Sequence, residues 1–397
     1  MKTLFFYIYS LIMFSTVEAT AQRDALCRVE WKVAGSLPSA SNGQKSPGVA
    51  GPVTGIHNGI LIVAGGANFP DAMPWLGGKK KYTDEGFVFK IDPRGGTTLF
   101  SSFKLDLPLA YSANCSTPDG IISAGGENEQ GISSNVFLFQ CDGSTGNVVT
   151  KYLPDLPVAL TNAAITFIDG KAYVAGGETK AGVSDRVFVL DPENASAGWE
   201  NLPSLPQAVS HTVMVANTSG NGHSIYVLGG RKKNSNGISD LYTSVYQLDI
   251  ATGQWKKKSD LPYALTAGTG ILAADNTILL FGGDDGATFH RVEELIATIA
   301  GETDSLRKQE LNEKKIRLLS AHPGFHKAVL SYNINTGEWK TIGTIPFNVP
   351  VTTTAIGWNN HVIIPGGEIK AGVRTPDILL GKFVFESTRY QKKKNIQ

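Results

Sequence analysis

The chain has 397 residues, and 36 Lys and Arg set against 35 Asp and Glu leave a formal net charge of +1. That balance argues against a nucleic-acid partner or a membrane-surface role, both of which call for clustered basic residues. Apolar residues make up 42% of the chain, ample for a core, and the three cysteines (27, 115 and 141) cannot all pair within one chain and lack metal-ligand spacing, so they read as buried thiols.

The chain opens on Met1-Lys2-Thr3, runs through a largely apolar stretch from Leu4 to Val17, and reaches Ala19-Thr20-Ala21 before Gln22. A positive start, a short apolar region and an Ala-x-Ala site read as a secretory signal peptide over 1–21, with a periplasmic or secreted mature chain over 22–397. Its removal takes Lys2 and Glu18 together and leaves the charge at +1. No later segment approaches the roughly 20 apolar residues of a membrane span.

From there, six apolar runs of β-forming residues each close on a Gly-Gly doublet, at Gly65, Gly125, Gly176, Gly229, Gly282 and Gly366, in steps of 60, 51, 53, 53 and 84 residues. A period near 50 predicts an all-β, six-bladed kelch-type β-propeller with one four-stranded blade per repeat. A second signature supports it: Trp31, Trp199, Trp255 and Trp339 each stand six residues ahead of Leu37-Pro38, Leu205-Pro206, Leu261-Pro262 and Ile345-Pro346. The doublets suit sharp backbone bends, and the tryptophans suit packing between blades. Because the last repeat ends at Lys382-Phe-Val-Phe-Glu386 with no Trp of its own, residues 28–38 are expected to supply the outermost strand of the last blade and close the ring.

The 84-residue step exceeds its neighbours by 31 residues, within Asp284 to Lys327. Phe289, Val292, Leu295, Ile296 and Ile299 recur there at helical spacing, followed by Leu306, Leu311, Ile316 and Leu319 among charged residues. Two helices are expected over 284–328, between the second and third strands of blade five, as a lid over a site or as a buttress of the rim.

The loops after the doublets and those after the Leu-Pro motifs are expected on one face. The residues directly after the doublets are Ala67, Glu127, Glu178, Arg231, Asp284 and Glu368. Three glutamates at one repeat position read either as functional groups or as a habit of the repeat. His211, after Leu205-Pro206, is a candidate for the channel, and equally a structural histidine. Repeats three and six are nearly identical from Gly176-Gly-Glu-Thr-Lys-Ala-Gly-Val183 to Gly366-Gly-Glu-Ile-Lys-Ala-Gly-Val373, then diverge to Ser184 and Arg374. Only the sixth places an Arg six residues after its Glu.

The stretch Gly367-Glu-Ile-Lys-Ala-Gly-Val-Arg-Thr375 resembles the catalytic segment of the bacterial N-acetylneuraminate (sialic acid) mutarotases, also called epimerases. Gly65-Gly-Ala-Asn-Phe-Pro-Asp71 with Lys79-Lys-Lys-Tyr-Thr-Asp-Glu85, and Gly229-Gly-Arg-Lys-Lys-Asn-Ser-Asn-Gly237, resemble two further segments of that family. Their order differs from that of better-known members, so the chain is similar to a cyclically permuted version. The resemblance implies Glu368 and Arg374 as the catalytic pair; Arg231, Glu178, Glu127 and Asp284, from their place after the doublets, and His211, after Leu205-Pro206, are the candidate substrate-binding residues. It implies a small sugar acid as substrate, interconverted between α and β anomers, with no metal or other cofactor. The alternative from another class is a non-catalytic kelch propeller that binds a glycan or a protein. A sialidase is disfavoured because no Ser-x-Asp-x-Gly-x-Thr-Trp box occurs, and a copper oxidase because the seven histidines form no ligand set.

Overall fold

A computed structural model describes residues 25–386 other than 40–42, 44, 219–221 and 275. Residues 1–21, expected to form a signal peptide, lie outside the described residues. Six four-stranded antiparallel sheets form six blades in chain order, each meeting the next and the sixth meeting the first. Blade one is typical: Val53–His57, Ile60–Ala64, Glu85–Ile91 and Thr97–Lys104 pair successively from the centre outwards.

Blade six takes its fourth strand from the other end of the chain. Ala25–Ser36 pairs with Asp377–Glu386, with Trp31 opposite Gly381 and Val29 opposite Phe383. The strand begins earlier than the expected 28–38 and stops at Ser36. Pro376 still accepts from the Leu37 N–H at 2.8 Å, but it has no N–H to return, so the ladder ends there.

The core is divided among the seams between blades. Trp199, Trp255 and Trp339 reach across these seams, their indole N–H donating to the carbonyls of Pro154 (2.8 Å), Pro203 (3.0 Å) and Ser259 (3.2 Å) in the preceding blade. Trp31 instead sets its ring edge-on against Phe281 of blade five at 5.5 Å between centroids. One indole therefore ties each of these neighbours through a hydrogen bond or an aromatic contact as well as through buried apolar area.

The doublets explain themselves in the same way. Both glycines of each pair have positive φ, and a Cβ on Gly65 would lie 2.2 Å from the Leu109 carbonyl oxygen. That close approach lets the Gly66 N–H donate to Leu109 O across the blade boundary at 2.7 Å. The residue after each doublet then bridges the residue that follows the Leu-Pro loop of its own blade: Ala67 to Ala50, Glu127 to Ala110, Glu178 to Thr161, Arg231 to Ser210, Asp284 to Thr266 and Glu368 to Val351. Both loop sets thus share one face, as the repeat pattern predicts.

Next to each bridge stands a residue in the left-handed region: Gly51, Tyr111, Asn162, His211, Ala267 and Thr352. Their backbones form a closed hydrogen-bonded ring around the propeller axis, each N–H donating to the equivalent carbonyl of the preceding blade at 2.7–3.0 Å, with Gly51 N–H donating to Thr352 O to close it. Every ring residue spends both of its main-chain polar groups on the ring. Only their side chains are left to form the floor of the loop face.

The inserted residues form α1 (Phe289–Gly301) and α2 (Ser305–Ser320), between the second strand Thr277–Phe281 and the third strand Ala328–Asn333 of blade five. Asp304 caps α2, accepting from the Arg307 N–H at 2.7 Å. α1 is pinned to blade four: the buried Glu293 carboxylate accepts from the Ser239 N–H (2.9 Å) and Oγ–H (2.7 Å), and His290 Nε2 lies 2.9 Å from Ser239 O. These contacts anchor α1 to blade four.

Candidate active site

Glu368 and Arg374 face each other across a hairpin, Glu368–Lys370 against Val373–Arg374. A bulge creates this opposition. In repeat three Glu178 stands opposite Val183 and Thr179 opposite Gly182. In repeat six the register shifts between Glu368 and Lys370, so that Arg374 replaces the valine opposite the glutamate. The one differing residue within the shared stretch accounts for it. Thr179 Oγ1 donates to Gly182 O at 2.9 Å and accepts from Ala181 N–H at 3.0 Å, closing the tighter turn. Ile369 has no hydroxyl, and Glu368 Oε1 instead accepts from the Gly372 N–H at 2.8 Å.

The Arg374 Nη1 lies 3.1 Å from Glu368 Oε2, with side-chain exposures of 4% and 20%. Nη1 is buried and has no aligned hydrogen-bond partner, so this contact is one of charge rather than of a well-directed hydrogen bond. Its Nε donates to Ala67 O at 3.4 Å, and the guanidinium sits 4.9 Å from the centre of the Phe69 ring. Burial pushes the Glu368 carboxyl above the usual carboxylate range, against the opposing pull of Arg374, the Gly372 N–H and Lys80, while Asp284 pushes the same way as burial. A carboxylate held this way is a stronger proton acceptor than an exposed one.

Blade one covers this pair. Its loop after Asn68 brings Phe69 over Arg374, and Met73, Pro74 and Trp75 pack on Gly372, where an added Cβ would fall 3.1–3.2 Å from all three side chains. This loop lies over Arg374 and the hairpin turn, and the end of the insertion meets the same hairpin, where a Cβ on Gly324 would fall 3.3 Å from Ile369 O. Lys80, Tyr82 and Tyr111 complete the neighbourhood. Lys80 Nζ is 3.1 Å from Glu127 Oε1 and 4.9 Å from the Tyr111 ring centre, and the Tyr82 hydroxyl donates to the same Glu127 oxygen at 2.7 Å. Burial raises Tyr111 against the pull of Arg374 and Lys80, which keeps its phenol protonated.

The remaining candidates form a second cluster on blades three and four, across the axis from blade six. Glu178 Oε1 accepts from Arg231 Nη2 and from Ser210 Oγ, each at 3.0 Å, and His211 Nδ1 lies 3.5 Å away. Arg231 also donates to Ser239 Oγ and His211 Nδ1 at 3.4 Å each and stacks 5.3 Å from Phe289 of α1. Burial, with help from Arg231, drives His211 well below the usual histidine range, so it is neutral. Asp284 stands apart on blade five, accepting from the Gly286 N–H at 2.7 Å, its carboxyl raised by burial.

The six positions after the doublets thus share one rim but split into separate groups. The cavity under the backbone ring, about 120 Å³, is lined by ring residues and the first residues of the innermost strands, and by neither Glu368 nor Arg374. The paired charges sit on the loop side of the ring, on the face that carries both loop sets. Among the described residues, no group of three or more His, Cys, Asp or Glu is arranged to hold a metal.

A family model described as N-acetylneuraminate epimerase matches residues 153–397. The chain belongs to the N-acetylneuraminate epimerase family. The match takes in blades three to six, including the Glu368 hairpin and the Glu178–Arg231 cluster, and leaves out blades one and two. Among relatives, the N-acetylneuraminate epimerase of Haemophilus influenzae (strain PittEE) is 26% identical over 239 residues, 60% of this chain and 61% of the relative. That of Yersinia pestis (strain Pestoides F) is 29% identical over 244 residues, 60% of this chain and 59% of the relative. The chain thus spans about three fifths of the length of the curated relatives it matches. The solved structure of YjhT superimposes with a TM-score of 0.57 at 15% identity, covering 88% of this chain and 97% of the other, which establishes a shared propeller fold.

Phe69, Lys80, Tyr82 and Tyr111 were not singled out by the repeat pattern. The signal for the first three lay in the Gly65–Asp71 and Lys79–Glu85 segments that carry the family resemblance. Tyr111 had no such signal, because only the ring places it beside Arg374.

Proposed function

We propose that the protein interconverts the α and β anomers of N-acetylneuraminate, with Glu368 as the base and Arg374 as its partner. The observation that carries the reading is the enclosed Glu368–Arg374 pair, 3.1 Å apart under the blade-one loop, with the carboxyl raised by burial. Glu368 takes the proton of the anomeric hydroxyl, the ring C–O bond breaks as the anomeric carbon becomes a ketone, and the former ring oxygen takes up a proton. Rotation of the open ketone and reclosure on its other face give the second anomer, with no net change in protons or electrons. Arg374 keeps a useful fraction of Glu368 ionised despite its burial.

The energetic demand is modest. An uncatalysed opening at roughly 10⁻³ per second has a barrier of about 21 kcal/mol, and a turnover near 10 per second needs about 5 kcal/mol less. Positioned acid–base groups commonly contribute about 10²–10⁴-fold, most of what is needed.

The Glu178–Arg231–His211 cluster, Glu127 and Asp284 are assigned to substrate binding on the same face, and the signal-peptide reading of residues 1–21 supports a site of work outside the cytoplasm. Proton NMR of freshly released α-N-acetylneuraminate, with and without the protein, tests the activity. Faster approach to the anomeric equilibrium is expected, and an unchanged rate would leave a propeller that binds its partner without turning it over.

A further inference from the structure

We infer that Lys80 is the cation that receives the carboxylate of the sugar and so selects acidic over neutral substrates, an inference that rests on the sugar-acid reading of the site. Arg374 is the obvious candidate for that role from its sequence position, but its surroundings commit it elsewhere. Its side chain is 4% exposed, its Nη1 is buried behind Glu368, its Nε is directed at Ala67 O, and Phe69 covers its face. A solute carboxylate cannot reach that fork without breaking the pair. Arg231 is committed too, to Glu178, Ser239 and His211, at 16% exposure. Lys370, on the Glu368 hairpin, lies toward His322 at the stalk of the insertion, where its charge helps lower that imidazole.

Lys80 differs from all three. It is 36% exposed, the most open of the cations gathered around Glu368, and still close enough for its field to act on both Glu368 and Tyr111. Its ammonium is held over the Tyr111 ring at 4.9 Å and near the Tyr82 ring at 5.5 Å, with Glu127 on one side at 3.1 Å. Tyr82 in turn fixes Glu127 through a 2.7 Å hydrogen bond. An ammonium has three N–H donors, and the one contact with Glu127 leaves two of them unassigned. Two aromatic faces and one carboxylate orient the group without enclosing it, which is the preorganisation that a charge-assisted contact to a second carboxylate requires. The anomeric carbon of such a sugar acid carries its carboxylate directly. A carboxylate on Lys80 therefore keeps the anomeric hydroxyl within the neighbourhood of Glu368.

Binding of N-acetylneuraminate and of its neutral methyl ester to the wild type, Lys80→Met and Lys80→Arg, measured by titration calorimetry, tests this directly. The wild type is expected to favour the acid over the ester, Lys80→Met to lose at least about tenfold in affinity for the acid with little change for the ester, and Lys80→Arg to keep most of the preference. Should Lys80→Met melt early, Lys80→Gln, which keeps a polar head without the charge, replaces it. A preference for the acid that survives in Lys80→Met or Lys80→Gln overturns the assignment, as does a wild type that binds neither sugar or does not distinguish them. A wild type whose preference depends on Lys80 but which leaves the anomeric exchange rate unchanged upholds the assignment and removes the mutarotase reading alone.

Discussion

Glu368→Gln, compared with Glu178→Gln, separates a catalytic carboxylate from one assigned to substrate binding because the two glutamates are matched in repeat position, enclosure and contact with an Arg. Each occupies the position after a doublet and is mostly enclosed, at 20% and 25% exposure, and each contacts an Arg at 3.1 and 3.0 Å. Each also accepts one neutral hydrogen bond, from the Gly372 N–H at 2.8 Å or Ser210 Oγ at 3.0 Å. In Glu368→Gln an amide oxygen in place of Oε1 keeps the Gly372 bond but turns the NH2 toward the Arg374 guanidinium, donor facing donor, whereas in Glu178→Gln one amide oxygen in place of Oε1 keeps both the Ser210 and the Arg231 contacts. That mismatch costs about 1–3 kcal/mol of stability in Glu368→Gln and is avoided in Glu178→Gln. The rates are expected to differ sharply. Loss of a general base removes about 10²–10⁴-fold, or about 2.7–5.4 kcal/mol of transition-state stabilisation, whereas Glu178→Gln is expected to stay within about tenfold of the wild type. Anomeric exchange followed by NMR at fixed temperature gives the rates, and denaturant melts give the stabilities. Equal rate losses in the two variants would show that a Glu–Arg pair at this repeat position acts alike wherever it occurs, and the catalytic assignment of Glu368 would fail.

Three further outcomes are expected. Because Glu368 acts unprotonated and burial raises its carboxyl, the exchange rate is full above that raised value and falls as pH drops through it, at a midpoint above the usual carboxylate range; a pH–rate profile whose acid limb is unchanged in Glu368→Gln would refute this. Arg374→Lys keeps the charge but loses the Nε bond to Ala67 O and the planar stack on Phe69, so kcat is expected to fall at least about tenfold and further in Arg374→Ala, with wild-type kcat in the lysine variant as the contrary result. Glu293→Ala removes both acceptors of Ser239 and is expected to cost about 1–3 kcal/mol and to speed amide hydrogen exchange in α1 while the Lys171–Ala175 strand of blade three stays protected; uniform protection would mean that α1 does not depend on this anchor.

The sequence by itself determined the blade count, the shared loop face, the pair of helices in blade five and the closing of blade six by the N-terminal strand. It could do so because those features are written in period: apolar runs of strand length, glycines where a Cβ would strike the next blade's carbonyl, and, at four of the turns, a tryptophan six residues ahead of a Leu-Pro or Ile-Pro. It also pointed to Glu368 and Arg374, through the Arg that follows the shared stretch in repeat six where repeat three has Ser184 and through the family resemblance of that segment. What it left undecided was how close side chains from different blades come. That Arg374 faces Glu368 and no valine depends on a one-residue bulge, set by the absence of the Thr179 hydroxyl at Ile369, and two nearly identical strings do not reveal a change of register. That Phe69 encloses Arg374, that Tyr111 and Lys80 stand beside it, and that α1 leans on blade four while the blade-one loop covers the pair are decided by the closure of the ring. Closure brings residues some 300 positions apart into contact, as with Arg374 and Ala67, 307 apart. No local propensity encodes such contacts, because they exist only once six blades share an axis.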